Sequence, residues 1–429
     1  MDLRGFIDEL EKDGKLIRIK EEVDPYLEVA GIQAKRDGET LFFEQVKGSD
    51  YQVVTGVCGS RDNFAKALGC RKEKLIPRIA KAIEAKKEPK AVKSGACQEI
   101  VEKKIDLSTI PILTHATVDL GPYIASGVYV CNDSELGYNL SYHRASPFEK
   151  NKLVARICHR DLYKYMKNAG GTLDISICLG LHPAIMLAAS VSSGTETNEY
   201  CIANDMHPLT VVKGVTNNLL VPADAELVLE GTITTDELHE EGPFPDISAT
   251  PDKVRQEPVI TVNCITHRKN PIYQGLLPAA REHRLLMGMP KEPTIYKKVN
   301  EVATCKNVSL TTGGCSWLHA IVQIEKKNAD DGKKAAEAAF EGHKSLKNCV
   351  VVDDDIDIED INDVEWAIAT RAQLDKDAKI WRGPGSSLDC TAEKMEGSDR
   401  LMTCKVALDA TIPWDKGDIK SFKKVKLGE

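Results

Sequence analysis

The chain lacks the sequence motifs that define several common enzyme classes. Its 429 residues contain no Walker A loop, no GxGxxG after a predicted strand and no GxSxG nucleophile elbow. The usual signals of a kinase, a dinucleotide-binding domain or a serine hydrolase are therefore missing. The 13 cysteines are scattered and include no CxxC pair, which excludes a zinc ribbon and a thioredoxin motif.

Long hydrophobic runs and an excess of positive charge are also missing. No stretch approaches the ~18–20 apolar residues that a membrane span needs. The opening residues, MDLRGFIDELEKDGKL, carry charges throughout and lack the apolar core of a signal peptide. The formal net charge of −8 argues against nucleic acid as the main partner. We therefore expect a cytoplasmic protein with reduced thiols that binds neither membranes nor nucleic acid.

The predicted secondary-structure pattern changes twice along the chain. Residues 1–105 mix helix and strand patterns, whereas residues 106–290 contain short β-rich runs separated by glycine and proline, as in a barrel or sandwich. Residues 291–429 return to alternating helix and strand. These patterns predict an N-terminal α/β domain, a β-rich central domain and a C-terminal α/β domain.

The most acidic stretch is VVVDDDIDIEDINDVEWAIATR, residues 350–371, which suggests a calcium or magnesium loop at first sight. An EF-hand needs glycine at its sixth position, and a loop that began at Asp353 would place Ile358 there. The simpler prediction is that VVV is a buried strand followed by an acidic turn. Asp360 or Asn362 then caps a helix over DVEWAIATR, because a helix N-terminus favours nearby carboxylates.

Reactive side chains concentrate in three central stretches: GYNLSYHRASP, ARICHRDL and GLLPAAREHRLLMG. Asn139 lies in the first stretch and His159 in the second, and Glu226 lies between the second and the third. These residues offer an amide oxygen, an imidazole and a carboxylate. That mixture suits a Mn²⁺ or Mg²⁺ ion whose shell is completed by phosphate oxygens. Each residue also has an ordinary explanation, because His159 could pair with an acid and Glu226 could be a solvated carboxylate on a strand. Spacing alone leaves both interpretations open.

Arg144 and Glu282 form a second candidate pair. A carboxylate beside a guanidinium stays ionised and positioned and can transfer a proton in a site shielded from water. Arginine also binds a substrate carboxylate bidentately. Glu282 lies between a Pro-Ala-Ala turn and the apolar LLMG, where burial would raise its pKa and suit it to general acid catalysis. A structural ion pair is the alternative that the sequence leaves open.

Six stretches, in order along the chain, resemble the UbiD family of decarboxylases, which use prenylated FMN. They are NLSYHR, ICHRD, ISICLGLHPAIMLAAS, VPADAELVLEG with EGPFPD, LPAAREHRLLMG and the acidic run described above. The resemblance covers nearly the whole chain. It implies a mixed α/β (α+β) fold in which a central split β-barrel resembling flavin reductases is flanked by N-terminal and C-terminal α/β domains.

The resemblance also implies how the cofactor is bound. Prenylated FMN would be held through a Mn²⁺ (or Mg²⁺) ion on Asn139, His159 and Glu226, with a K⁺ ion on main-chain carbonyls of residues 215–218. In GPGSSLDC, Ser386 and Ser387 stand where some members carry a lysine near the cofactor phosphate. The implied cofactor-binding residues are Asn139, Ser141, Tyr142, His143, Arg144, Arg156, Cys158, His159, Arg160, Thr216 and Glu226.

For catalysis, the resemblance implies a carboxylate–arginine network. Arg144 would be the active-site arginine and Glu282 the acid–base carboxylate, with Glu241 or Asp246 as the third acidic member. The modified flavin would accept the electrons as CO₂ departs, which is cofactor chemistry. The protein would orient the substrate, exclude water and supply the replacing proton.

The substrate that the resemblance favours is an α,β-unsaturated acid. Archaeal members share REHRLLMGMPKEPTIYKKV-like stretches and imply decarboxylation of trans-anhydromevalonate 5-phosphate to isopentenyl phosphate in a modified mevalonate pathway. An aromatic acid, such as 4-hydroxybenzoate or its polyprenylated form, is the alternative, and a non-catalytic subunit of a carboxylase complex is an alternative of another class. A flavin prenyltransferase would supply the cofactor, and a homo-oligomer (dimer or hexamer) is expected. Candidate cations for a substrate phosphate are His143, Arg156, Arg281, His283 and Arg284.

Overall fold

The structure, a computed structural model, describes residues 2–191, 198–394 and 401–425. The chain divides into two compact units, residues 1–286 and 287–429. In the described ranges, every helix is too short or too polar to cross a bilayer. The single division falls between residues 286 and 287, and the predicted three-domain division at residues 105 and 290 stays a prediction.

The first unit consists of strands and short helices. In chain order they are α1 (Leu3–Lys12), β1 (Leu16–Val23), α2 (Glu28–Lys35), β2 (Thr40–Val46), β3 (Gln52–Thr55), α3 (Arg61–Ala67), α4 (Leu75–Ile83), β4 (Lys90–Val92), β5 (Ile100–Glu102), β6 (Val128–Asp133), β7 (Gly137–Tyr142), β8 (Ala145–Glu149), β9 (Lys152–Ala155), α5 (Asp161–Asn168), β10 (Thr172–Leu179), α6 (Pro183–Ala189), α7 (Glu199–Met206), β11 (Thr210–Lys213), β12 (Leu220–Pro222), β13 (Leu227–Glu241), β14 (Arg255–His267), β15 (Ile272–Gln274) and α8 (Arg281–Gly288).

Helix α1 shows how local sequence sets these elements. The Asp2 side chain accepts a hydrogen bond from the Gly5 main-chain N–H at 2.8 Å, which caps the first turn. Apolar residues recur with helical spacing, so one face is buried, at Leu3, Phe6, Ile7 and Leu10. The next residues, LIRIKEEV, form β1 as the alternating pattern predicts.

Three sheets make up the first unit. Strands β1, β2, β3 and β15 form one, and β12, β11 and β4 form a small second one. The largest is an antiparallel sheet in the order β7-β6-β10-β13-β14-β9-β8, with β5 on β14. The order of this sheet is an open path, so most strands of the β-rich central region form one long sheet and no closed barrel is seen in the described residues. The β1-β2-β3-β15 sheet and the long antiparallel sheet share a buried core that includes Phe43, Tyr129, Ile177 and Leu229.

The second unit is an α/β sandwich. Its elements are α9 (Glu292–Asn300), β16 (Thr304–Leu310), β17 (His319–Glu325), α10 (Asp331–Gly342), β18 (Asn348–Asp353), α11 (Ile361–Arg371), α12 (Leu374–Asp377), β19 (Ala378–Pro384), β20 (Glu393–Lys394) and β21 (Leu401–Asp409). The sheet order is β16-β17-β18-β21-β19, with β20 on β21. Helices α9 and α10 bury one face and α11 the other. The predicted mixed α/β class is therefore confirmed.

The acidic run takes the structure that its pattern predicts. VVV lies in β18, and the Asp360 side chain caps α11 by accepting from the Asn362 N–H at 2.9 Å. The fully buried Arg371 guanidinium then neutralises two of the acids, at 3.1 Å from Asp353 and 2.8 Å from Asp355. The run therefore serves as a helix cap and a buried ion-pair partner within this unit.

Candidate active site

A buried arginine–carboxylate pair lies where β13 ends. Arg144, between β7 and β8, donates from Nε to Glu241 Oε1 at 2.7 Å and from Nη2 to Oε2 at 3.0 Å. The side chains are 13% and 0% exposed. Nη2 also donates to Asp252 at 2.9 Å, and the Phe244 ring lies 4.8 Å from the guanidinium carbon. Arg144 is thus fixed on one side by two carboxylates and on another by an aromatic face.

This pairing corrects one expectation. The sequence suggested Arg144 beside Glu282, whereas the structure pairs Arg144 with Glu241, 97 residues away. Glu282 instead accepts from the main-chain N–H groups of Gly56 at 2.9 Å and Cys58 at 2.7 Å. Burial raises the pKa of Glu282 to about 7, as its apolar context predicted.

The residues after Glu241 form a tight turn, residues 241–246. Gly242 has φ of +87°, and a Cβ there would lie 2.8 Å from the Lys253 carbonyl oxygen, so the turn requires glycine. At the end of the turn, Asp246 is partly buried, and its Oδ1 accepts from the Ile247 N–H at 2.7 Å. Both acids that the sequence offered as a third member of the network therefore belong to one turn.

A second buried acid lies beside Asn139, and it is one that the sequence analysis missed. Glu199, the first residue of α7, accepts from the Leu140 N–H at 3.1 Å, directly after Asn139 on β7. It is 6% exposed, and no described cation pairs with it. Burial, with a smaller contribution from Asp161, raises the pKa of Glu199 to about 7. Its only sequence signal was an acid at a capped helix start.

Glu226, the third member of the predicted metal set, is already engaged by other groups. Its carboxylate is fully buried and accepts from Arg4 at 2.7 Å through both oxygens, from Arg268 at 3.4 Å and from the Ile272 N–H at 3.1 Å. Two guanidinium groups already neutralise it, so it ties α1 to the end of β14. A metal ion there would have to displace both arginines.

His159 precedes α5 and is exposed. Its ring stacks on Tyr163 with centroids 4.2 Å apart, and its neighbours Cys158 and Arg160 are exposed as well. Asp161 acts electrostatically on Glu199, so this turn approaches the Asn139 region. Among the described residues, no three His, Cys, Asp or Glu side chains are already clustered to hold a metal ion.

Most of the other predicted cofactor residues form a connected row on β7 and β9. Asn139 Nδ2 donates to Ser141 Oγ at 3.1 Å, which lies 3.0 Å from His143 Nε2. His143 Nδ1 is 3.2 Å from the Arg156 carbonyl oxygen. Burial lowers the pKa of His143 to about 4, so the ring is neutral at physiological pH. It is therefore a weak candidate for a phosphate-binding cation.

Of the remaining predicted cofactor contacts, one has no hydrogen-bond partner in the described chain and the others are already engaged. The Tyr142 hydroxyl is buried and has no hydrogen-bond partner among the described residues. The Arg156 guanidinium is paired with Glu257 at 2.5 Å. Thr216 does not join the row, because its N–H and hydroxyl donate to Glu230 at 2.6 and 2.7 Å. In the second unit, Ser386 accepts from Trp317 Nε1 at 3.2 Å, so its hydroxyl already has a structural partner.

Comparison with known families covers nearly the whole chain. Three models of 3-octaprenyl-4-hydroxybenzoate carboxy-lyase match: the N-terminal domain over residues 7–83, the Rift-related domain over 90–281 and the C-terminal domain over 284–410. The chain therefore belongs to the UbiD family, as its motifs indicated.

Individual relatives refine this placement. The chain is 44% identical over 418 residues to an anhydromevalonate phosphate decarboxylase of Methanosarcina mazei, covering 96% of each protein. It is 41% identical to the protein of that name in Methanocaldococcus jannaschii, covering 95% of this chain and 97% of the relative. Among solved structures, it resembles the UbiD-class enzyme HmfF from Pelotomaculum thermopropionicum in complex with FMN, with a TM-score of 0.94, 36% identity and coverage of 100% and 98%.

Proposed function

We propose that the chain is a prenylated-FMN-dependent carboxy-lyase that converts trans-anhydromevalonate 5-phosphate to isopentenyl phosphate and CO₂. The observation that carries the proposal is the buried Arg144–Glu241 pair, which sits in the family's central domain with unused donors. The identity of up to 44% to proteins named anhydromevalonate phosphate decarboxylase supports this substrate. The HmfF structures with FMN and with prenylated FMN support this cofactor.

The donor set beside Asn139 fits a divalent cation. Glu199 is a buried carboxylate without a cationic partner in the described chain, and such a group is expensive unless it is neutralised. A Mn²⁺ or Mg²⁺ ion bound by Glu199 and by the Asn139 amide would remove that cost and supply positive charge for the cofactor phosphate. We propose Asn139, Glu199 and His159 as its protein ligands. The K⁺ ion at residues 215–218 remains a prediction.

The Arg144 guanidinium would hold the substrate carboxylate. Arginine has five N–H donors, and those on Nε and Nη2 are used by Glu241 and Asp252. Nη1 has no acceptor in the described chain, so its two N–H groups are available to a carboxylate. Glu241 sets the plane of the guanidinium and thereby the direction of these donors. When bound, prenylated FMN supplies the electron sink for CO₂ loss.

A carboxylic acid must then return one proton to the carbon that lost CO₂. The balance is RCOO⁻ plus H⁺ giving RH plus CO₂. We propose Asp246 for this step, because it shares a turn with Glu241 and its second oxygen accepts no hydrogen bond from the described chain. Glu282, the acid suggested by the sequence, has both oxygens engaged by main-chain donors. It therefore anchors the loop after β3 in this proposal.

The test is a substrate comparison with protein loaded by co-expression with a flavin prenyltransferase and purified without oxygen. Trans-anhydromevalonate 5-phosphate, 4-hydroxybenzoate and 3,4-dihydroxybenzoate are incubated separately in D₂O and followed by NMR. We expect only the phosphorylated acid to be consumed, with one deuterium entering isopentenyl phosphate. Consumption of an aromatic acid alone would contradict the substrate. A flavin-loaded chain that consumes nothing would favour the non-catalytic subunit.

A further inference from the structure

The segment of residues 115–123, HATVDLGPY, binds the 241–246 turn at several points. The Leu120 N–H donates to the Pro243 carbonyl oxygen at 3.1 Å. The His115 ring meets the Phe244 ring edge-on, with centroids 6.0 Å apart and an interplanar angle of 87°. The Tyr123 ring also packs on Phe244, at 4.5 Å. The segment therefore supports the turn that carries Glu241.

Tyr123 makes the most direct of these contacts. Its hydroxyl accepts from the Gly242 N–H at 3.0 Å and lies 3.2 Å from Glu241 Oε1. Because Gly242 uses the hydroxyl as an acceptor, the hydroxyl proton is directed to the glutamate oxygen. Tyr123 is fully buried, and burial beside Glu241 raises the pKa of the phenol well above its usual value. The hydroxyl therefore remains a donor at working pH.

The segment is itself organised by a buried acid. Asp119 accepts from the main-chain N–H groups of His115 at 2.8 Å and Ala116 at 2.9 Å, and its side chain is 0% exposed. These bonds close a turn that leads into Tyr123. Tyr123 thus approaches Glu241 from a segment held by these bonds, on an element different from those that carry Arg144 and Asp252.

We propose that Tyr123 is a positioning residue of the active site, whose hydroxyl fixes the Glu241 carboxylate in the orientation that aligns Arg144. Glu241 Oε1 then receives two donors, Arg144 Nε at 2.7 Å and the Tyr123 hydroxyl. Together these two donors fix the plane of the carboxylate that holds the guanidinium. The inference rests on the proposed decarboxylase function and adds a residue that reaches the chemistry only through Glu241.

Several other groups surround Glu241 and are untouched by a substitution at Tyr123. Arg144 contacts it directly, and Asp252 shares that arginine. Arg255 and Tyr129 interact with Glu241 electrostatically. Replacing Tyr123 by phenylalanine removes one donor and leaves these groups in place. A change in the Arg144–Glu241 pair is therefore attributable to the lost hydroxyl.

The first test compares Tyr123→Phe with Tyr51→Phe in cofactor-loaded protein. Tyr51 is a buried tyrosine whose ring packs against His267, 5.8 Å between centroids, and it serves as a control for hydroxyl loss. Loss of a hydrogen bond to a charged group corresponds to about a tenfold or greater change in rate. We expect kcat to fall by about that factor in Tyr123→Phe, with a smaller change in KM. Kinetics equal to those of Tyr51→Phe would overturn the proposal.

The second test does not depend on activity. The Arg144–Glu241 ion pair is followed through the Nε–H resonance of the Arg144 guanidinium by ¹⁵N NMR, with Arg144→Lys used for assignment. We expect Tyr123→Phe to shift this resonance while thermal unfolding shows a folded protein. An unchanged resonance together with a lowered Tm would mean a merely structural role and overturn the proposal. If wild-type protein turned over no substrate, the proposed function would fail while this spectrum would still decide the role of Tyr123.

Discussion

The Glu199 carboxylate accepts a hydrogen bond from the Leu140 N–H at 3.1 Å, one residue after Asn139. This contact joins the start of α7 to β7 and brings a buried acid to the residue that follows Asn139. We predict that Glu199→Gln abolishes Mn²⁺ binding by the cofactor-loaded protein, because the amide no longer supplies negative charge. Metal content is measured by inductively coupled plasma mass spectrometry after anaerobic purification.

Glu226→Gln is the matched control for that measurement. Glu226 is an equally buried glutamate, but its partners are Arg4 and Arg268. We expect this variant to keep its metal and to lose stability, because Arg4 loses its carboxylate partner while Arg268 keeps Asp2. Retention of Mn²⁺ by Glu199→Gln and its loss in Glu226→Gln would restore the ligand set suggested by the sequence.

Glu282 gives a pH-dependence with a defined sign. Burial raises the pKa of its carboxyl from 4.5 to about 7, so the folded protein binds this proton more tightly than the unfolded chain. The stabilisation is present below pH 4.5 and is lost as pH rises through about 7. We therefore predict that the Tm difference between wild type and Glu282→Gln is larger at pH 5.5 than at pH 8.5.

The control for Glu282 is Glu365→Gln, a substitution at an exposed position. Its Tm difference from wild type should not depend on pH in this way. Glu282→Gln should also lose stability at every pH, because its amide N–H₂ faces a main-chain donor of the loop after β3, at a cost of about 1–3 kcal/mol. A Tm difference that grows with rising pH would contradict the assignment.

Gly242→Ala tests whether the turn after β13 needs glycine. Both Gly242 and the control Gly137 have positive φ, +87° and +78°, but only at position 242 would a Cβ meet the backbone, at 2.8 Å from the Lys253 oxygen. Both alanine variants should lose about 1 kcal/mol to backbone strain. We predict that only Gly242→Ala also lowers kcat, because it displaces Glu241. Equal kinetics in the two variants would refute this.

Arg371→Met tests the structural interpretation of the acidic run. Removing the fully buried guanidinium leaves Asp353 and Asp355 without their partner and should cost about 3–5 kcal/mol of stability. Arg382→Met removes an exposed pair with Glu393 and should cost at most about 1 kcal/mol. Urea unfolding of both variants checks this, and similar midpoints for the two would count against it.

Local rules predicted the parts of the structure that depend on neighbours in sequence. The cap at Asp360 and the amphipathic α1 follow from residue type and spacing within one turn of helix. The pairing of Arg144 with Glu241 joins residues 97 positions apart, and no spacing rule reaches so far. Glu282 was correctly predicted to be buried, yet its partners are two main-chain amides that sequence patterns cannot indicate.

The choice between Glu199 and Glu226 shows the same limit for the metal site. Both are acids beside apolar residues, so their local sequences predict similar burial. Arg4, 222 residues from Glu226, is what neutralises that carboxylate. Glu199 has no cationic partner among the described residues, because the tertiary fold brings no arginine or lysine side chain to it. Family motifs indicated the region of the proposed metal site, and the contacts favour Glu199 within it.

The most direct test of the central claim is CO₂ release from trans-anhydromevalonate 5-phosphate by Glu241→Gln beside Glu237→Gln, both loaded with cofactor. Glu237 lies on the same strand but is exposed and pairs with Lys152. If the Arg144–Glu241 pair carries the reaction, Glu241→Gln should lower kcat by a factor of about 10²–10³, and Glu237→Gln should match wild type. Equal rates of CO₂ release by the two variants would contradict the account.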